Sequence, residues 1–368
     1  MNKPILLFVF LFSILSTCSN NTDQNDLHNI SYKPTPLQIN VPKGFPKLEI
    51  PENNPTTNEG VELGRTLFYD PILSVDSSIA CSFCHLPQFS FTDRHAKSRG
   101  VKGTIVKRSS PSLINVGLIR NGLFWDGRVH SLEEQALLPV EDPLEMQASW
   151  PVIEKRLQAH DKYPVLFRAA FGIGNKKELT RDLVVKAIAQ FERTLLSSGQ
   201  SKYDQVTYGL DSFTVDEAMG YDLFFDVSPG ISDGECGNCH NAPLFTDHTF
   251  ANNGIDAAKT LDDFPDKGLG AISGDPYDNG KFKVPTLYNI ALTSPYMHDG
   301  RFRTLKEVID HYNSGGHPSP TVNSLIRPLG FTEIEKEQLL SFLHTLTDTT
   351  FTEFERIKRG AEYRNSLY

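Results

Sequence analysis

Positive charge is in short supply in this chain. Its 36 lysines and arginines face 45 aspartates and glutamates, for a net charge of −9. No basic run stands out, which argues against a nucleic acid partner but leaves room for a basic protein by charge complementarity. Long apolar runs are equally scarce. Beyond the first fifteen residues none is long enough to cross a membrane. Patterns of strand alternation are rare, so helices and loops must build the body. Cysteine is limited to five residues, and their placement matters more than their number.

The amino terminus is a targeting segment. Lys3 precedes an apolar run at 5–15 that is too short to span a bilayer but suits the core of a secretory signal. It ends in Leu15-Ser16-Thr17-Cys18, a small-residue cleavage site with cysteine next, similar to a bacterial lipoprotein signal. The expectation is a signal peptide at 1–17, a lipid on Cys18 as the only membrane attachment, and a periplasmic protein. Residues 18–55 are rich in Asn, Asp, Thr and Pro and read as a flexible tether.

After that the sequence repeats. Leu63-Gly64-Arg65-Thr66-Leu67-Phe68-Tyr69-Asp70 returns as Met219-Gly220-Tyr221-Asp222-Leu223-Phe224-Phe225-Asp226. Gly64 precedes Cys81 by seventeen positions and Gly220 precedes Cys236 by sixteen. Phe91-Thr92-Asp93 then matches Phe245-Thr246-Asp247, and Pro111-Ser112-Leu113-Ile114-Asn115 matches Pro285-Thr286-Leu287-Tyr288-Asn289. Asp126-Gly127-Arg128 matches Asp299-Gly300-Arg301. Two copies in the same order imply tandem domains and not a solenoid. Apolar residues at helical spacing predict a helix over 180–197. Ser131-x-x-Glu134 and Thr304-x-x-Glu307 read as capping boxes that open two more.

Four cysteines remain, in Cys81-Ser82-Phe83-Cys84-His85 and Cys236-Gly237-Asn238-Cys239-His240. Exported cysteines usually pair as disulfides. Here each CxxC is followed at once by histidine, which is the attachment motif of c-type haem: two thioethers and an axial imidazole. A four-cysteine zinc site would leave both histidines unexplained. A thioredoxin-like site predicts one CxxC and no fixed histidine. What occupies the sixth position on each iron then separates an electron carrier, with six strong ligands, from a site open to peroxide. Of the other histidines, His28 in the tether and His160 before a charged loop read as surface residues.

The chain resembles the bacterial dihaem cytochrome c peroxidases and their MauG-type relatives. The resemblance covers about 58–343 and rests on Phe124-Trp125-Asp126-Gly127-Arg128, Ser131-Leu132-Glu133-Glu134-Gln135-Ala136, Pro143-Leu144-Glu145-Met146 and Pro295-Tyr296-Met297-His298-Asp299-Gly300-Arg301. It implies a mainly α fold of two tandem cytochrome c-like domains, at 56–200 and 201–350, before a tail at 351–368. Each domain carries one haem. By the resemblance, the first haem, on His85, would be peroxidatic, with Gln135 and Glu145 on its open face. Trp125 would carry electrons to it from the second haem, on His240. Hydrogen peroxide is the implied substrate and a small cytochrome c or copper protein the electron donor. The resemblance leaves room for a homodimer.

Two departures from the classical pattern stand out. Classical members close the first haem at rest with a histidine about sixteen residues after CxxCH. Counting from His85 gives Val101, and the loop offers only His95. Classical members also put methionine on the second haem, fourteen residues after the histidine matched by His298. Tyr312 stands there, as in the MauG-type branch, with His311 and Met297 as rivals. Tyrosinate favours ferric iron, whereas methionine raises the potential. The family also binds calcium between its domains. Thr293 and Pro295 match two carbonyl ligands, but Ser109 replaces an asparagine, and a hydroxyl is the poorer ligand. The reading is therefore a dihaem peroxidase. One alternative is MauG-type oxidation of a partner protein's side chains. The other is a dihaem electron carrier, against which Gln135 and Glu145 argue.

Overall fold

A computed structural model describes residues 25–228 and 233–350. The expected signal peptide, Cys18 and the tail at 351–368 lie outside the described residues. Eleven α-helices are found there: α1 (Asn58–Tyr69), α2 (Cys81–Cys84), α3 (Leu132–Glu141), α4 (Trp150–Ala159), α5 (Lys162–Phe171), α6 (Arg181–Glu192), α7 (Lys202–Thr207), α8 (Val215–Phe225), α9 (Gly270–Ser273), α10 (Leu305–Ser314) and α11 (Glu333–His344). Among the described residues, sheet structure is limited to β1 (Phe250–Ala251) paired antiparallel with β2 (Phe282–Lys283). No described helix is long and apolar enough to cross a membrane.

The sequence repeat reappears as two helical halves built on the same plan. α1 packs on α6 in the first half, and α8 packs on α11 in the second. Each pair crosses at a repeat-related glycine. A Cβ on Gly64 would lie 1.8 Å from the carbonyl oxygen of Ala187, and one on Gly220 would lie 2.0 Å from that of Gln338. These backbones touch because neither position has a side chain. Gly64→Ala is expected to cost about 1–3 kcal/mol, the usual scale of overpacking, read as a lower midpoint of thermal unfolding by circular dichroism.

Other repeat-related residues do equal work. Asn115 and Asn289 both adopt a left-handed conformation, at φ 62° and 59°. Their carboxamide oxygens accept from the backbone N–H of Ser197 and of Asp348, at 2.9 and 2.6 Å. The Asp348 carboxylate in turn accepts from the hydroxyl and backbone N–H of Ser198. The end of the second half is thereby tied to the end of the first.

Two expectations are corrected. Residues 25–55 do not form a flexible tether. Leu27 joins the core of the first half, Leu48 is buried beside Leu118, Leu196 and Leu244, and Asn54 is buried. The backbone pairs as well, Asp26 with Asn175 and Pro36 with Thr57. A few apolar anchors at wide spacing hold a polar, proline-rich segment against the body, and composition alone does not reveal them. The helix expected over 180–197 ends at Glu192. Leu195 and Ser197 stay buried beyond it because their chain is spent on Asn115. Thr304 and Glu307 form a full capping box. At α3 the Ser131 hydroxyl accepts from Glu134 N–H, while the Glu134 carboxylate accepts from His130 N–H instead.

Candidate functional site

Both CxxCH segments open onto one cavity of about 920 Å³ along the seam of the halves. Each histidine is held the same way. Nδ1 of His85 lies 2.8 Å from the carbonyl oxygen of Phe91, and Nδ1 of His240 lies 3.0 Å from that of Phe245. A carbonyl only accepts, so Nδ1 carries the proton and Nε2 keeps its lone pair for a metal. Burial pushes both imidazoles below their usual pKa and keeps them neutral.

Cys81, Cys84, Cys236 and Cys239 are free and line the same cavity. Burial pushes the thiols of Cys81, Cys84 and Cys236 up to about 12, and that of Cys239 also upward. Nucleophilic chemistry needs a thiolate, and these surroundings disfavour one. Among the described residues no three Cys, His, Asp or Glu side chains gather as a metal site, so the four cysteines do not form a zinc knuckle. An apolar cavity that joins two neutral thiols to one neutral histidine, twice, fits two covalent haems. Lys283 also lines the cavity, with Nζ bonded to the carbonyl of Arg120, and burial lowers it to about 8. Asp247 opposes the shift electrostatically, without a salt bridge to Lys283 among the described residues.

At the first histidine, Gln135 projects from α3 and Glu145 from the loop after it, both into the cavity. The Glu145 carboxyl is pushed up to about 7, first by burial and then by Asp142, with Arg128 opposing. Its loop is clamped by the segment at 100–104. Val101 N–H donates to the carbonyl of Glu145 at 2.9 Å, and the Thr104 hydroxyl donates to that of Leu144 at 2.9 Å. A Cβ on Gly100 would fall 2.0 Å from the Leu144 oxygen. The chain that carries a closing histidine in classical enzymes here serves as the scaffold of Glu145, with Val101 wholly buried. His95 turns outward, more than half exposed, with Nδ1 2.8 Å from Asp93.

The repeat-related loops around Trp125 and His298 meet at the seam. Their ring centroids are 6.5 Å apart, edge to face. Trp125 Nε1–H donates to the carbonyl of Ser109, and Ser109 N–H donates to that of His298. His298 stacks flat on Phe282 at 3.6 Å. Arg108 crosses the seam, pairing with Asp126 at 2.5 Å and Asp266 at 2.7 Å. Ser109, Thr293 and Pro295, the implied calcium positions, also line the cavity. The Ser109 hydroxyl donates to the carbonyl of Met297 at 2.8 Å, so only its lone pairs remain for a cation.

At the second histidine, Tyr312 and Met297 line the cavity and His311 does not. Nε2 of His311 is bonded to the carbonyl of Asn253 at 2.9 Å. Sequence reasoning missed Asn253, Lys283 and Glu192. Glu192 is a buried cavity-wall carboxyl, pushed up to about 8 by burial, whose Oε2 has no hydrogen-bond partner. A charged residue at an otherwise apolar helix position was its available signal.

Comparison with known proteins agrees. The family profile described as di-haem cytochrome c peroxidase matches residues 58–212. The chain is 34% identical to the methylamine utilization protein MauG of Methylorubrum extorquens, over 80% of each chain. It is 33% identical to the cytochrome c551 peroxidase of Nitrosomonas europaea, over 80% of this chain and 81% of that one. Among solved structures, a MauG-like protein associated with microbial copper homeostasis superposes with a TM-score of 0.77 at 35% identity, covering 86% of this chain and 97% of the other.

Proposed function

The chain belongs to the dihaem cytochrome c peroxidase and MauG family, and we propose that it reduces hydrogen peroxide to water with electrons from an exported small cytochrome c or copper protein. In this reading each helical half is a cytochrome c-like domain with one covalent haem, on Cys81, Cys84 and His85 and on Cys236, Cys239 and His240. The observation that carries it is Glu145: a half-buried carboxyl poised near neutrality, in the same cavity wall as Gln135.

When bound, the haems supply iron that coordinates peroxide at the first site and relays electrons at the second. Breaking the O–O bond requires a proton to leave the inner oxygen and reach the departing one. The Glu145 carboxylate accepts it and returns it, because a group with a pKa near the working pH can do both. Gln135 donates a hydrogen bond that orients the peroxide and cannot itself shuttle a proton. Trp125 offers an aromatic ring between the sites, fixed by its N–H bond to Ser109. The two electrons and two protons taken up leave two waters.

The resting first site is open in this reading, since Val101 is core and His95 points away. The fully oxidised protein is therefore expected to react with peroxide without prior reduction and to show a high-spin ferric signal in electron paramagnetic resonance. A wholly low-spin resting protein that needs reduction first would contradict it. Steady-state peroxide turnover with reduced cytochrome c or a copper protein tests the activity itself.

Tyr312 in the second cavity wall favours a second reading, MauG-type oxidation of a partner protein. Product analysis of co-purified partners after peroxide addition separates the two. We also propose a periplasmic protein anchored through Cys18, on the strength of the signal-like sequence at 5–18, with calcium near Ser109, Thr293 and Pro295, which share the cavity wall.

A further inference from the structure

Two side chains able to bind iron meet on a single amide at the second histidine site. Nδ2 of Asn253 lies 3.2 Å from the Tyr312 hydroxyl and 3.3 Å from Sδ of Met297. All three residues line the cavity, yet they come from different elements. Asn253 follows β1, Met297 sits in the seam loop and Tyr312 stands on α10. Met297 is held at φ 75°, a left-handed conformation that costs a side-chain-bearing residue free energy and recurs at functional sites. Its carbonyl is fixed by the Ser109 hydroxyl. The backbone carbonyl of Asn253 meanwhile holds His311 out of the cavity.

We propose that Asn253 selects the sixth ligand of the second haem, favouring the Tyr312 oxygen over the Met297 sulfur. This rests on the dihaem reading above. The carboxamide has two N–H donors, and its two partners are unequal acceptors. An oxygen bound to ferric iron carries negative charge and gains a strong, charge-assisted hydrogen bond. A thioether gains little from the same donor, and the contact draws its lone pair toward the amide. The donor thus supports oxygen ligation while it restrains the competing sulfur. Removing it reverses both effects. The two ligands also move the potential in opposite directions, so Asn253 is a positioning residue that holds the second haem at low potential.

The test uses the whole haem-loaded protein. Asn253→Leu removes the donor at similar size, and Asn253→Asp puts an acceptor in its place. Should the leucine variant lose haem, the aspartate variant still carries the comparison. Near-infrared magnetic circular dichroism distinguishes oxygen from thioether ligation, and a redox titration follows the potential. Both variants are expected to pass from oxygen to sulfur ligation with a rise in the second potential. Adding Met297→Leu should remove the sulfur signature. An unchanged oxygen ligand and potential would overturn the selection. So would loss of the oxygen ligand with no sulfur signature. A parent protein with fewer than two haems overturns the dihaem reading and the selection with it, and the haem count distinguishes that failure from the others.

Discussion

Replacing Cys81 and Cys84 together by alanine is expected to reduce the covalent haem from two to one and to abolish peroxide turnover. The four cysteines fall into two sets at separate histidines, so each pair governs one attachment and the second haem should remain. The remaining haem should still accept electrons from a donor while the protein no longer consumes peroxide. Cys236→Ala with Cys239→Ala should give the opposite phenotype, a protein that reacts once with peroxide and cannot be recharged. Pyridine haemochrome analysis counts the haems, and donor oxidation measures turnover. Both pairs line one cavity of about 920 Å³, and a missing haem leaves much of that space without packing partners. Each variant should therefore also unfold at lower temperature. Retention of two covalent haems in either variant, or a parent protein that binds zinc and no haem, would sink the assignment.

Glu145→Gln is expected to lower kcat/KM for peroxide by about 10²-fold or more, the scale of a well-placed general acid–base group. Size and shape are kept, so haem content should not change. The pH dependence makes the test sharper. Burial and Asp142 raise this carboxyl to about 7, so it is protonated below that value and ionised above it. The proton-accepting form is the ionised one, so kcat/KM should rise with pH through about 7 and the variant should lose that rise. Stability should move the other way. A carboxyl whose pKa is raised by folding costs stability wherever the unfolded chain would ionise it. The glutamine variant should therefore be at least as stable as the parent above pH 7. Near-parental turnover with an unchanged pH profile would remove Glu145 from the mechanism.

Much of the fold was legible because of the duplication. Gly64 and Gly220, His85 and His240, and Asn115 and Asn289 each occupy matching places in the repeat and make matching contacts. Residues 25–55 were not legible. Their composition is that of a linker, and a few dispersed contacts from Leu27, Leu48 and Asn54 outweigh it. The end of α6 was also hidden, because the run of apolar residues continues past the point where the backbone turns to meet Asn115.

The sequence by itself determined the haem attachment motif, since two cysteines and a histidine within five positions are local chemistry that needs no distant partner. The pair Gln135 and Glu145 came from the family resemblance, and the structure puts both in the wall of one cavity. The tertiary structure decided which groups share an environment. Burial by distant segments sets the Glu145 carboxyl near neutrality, and the clamp from Val101 and Thr104 holds its loop. Packing turns Tyr312 into the cavity and its neighbour His311 away, although they are adjacent in sequence. Consecutive helical residues point about 100° apart, and only the surroundings of α10 determine which direction is the cavity.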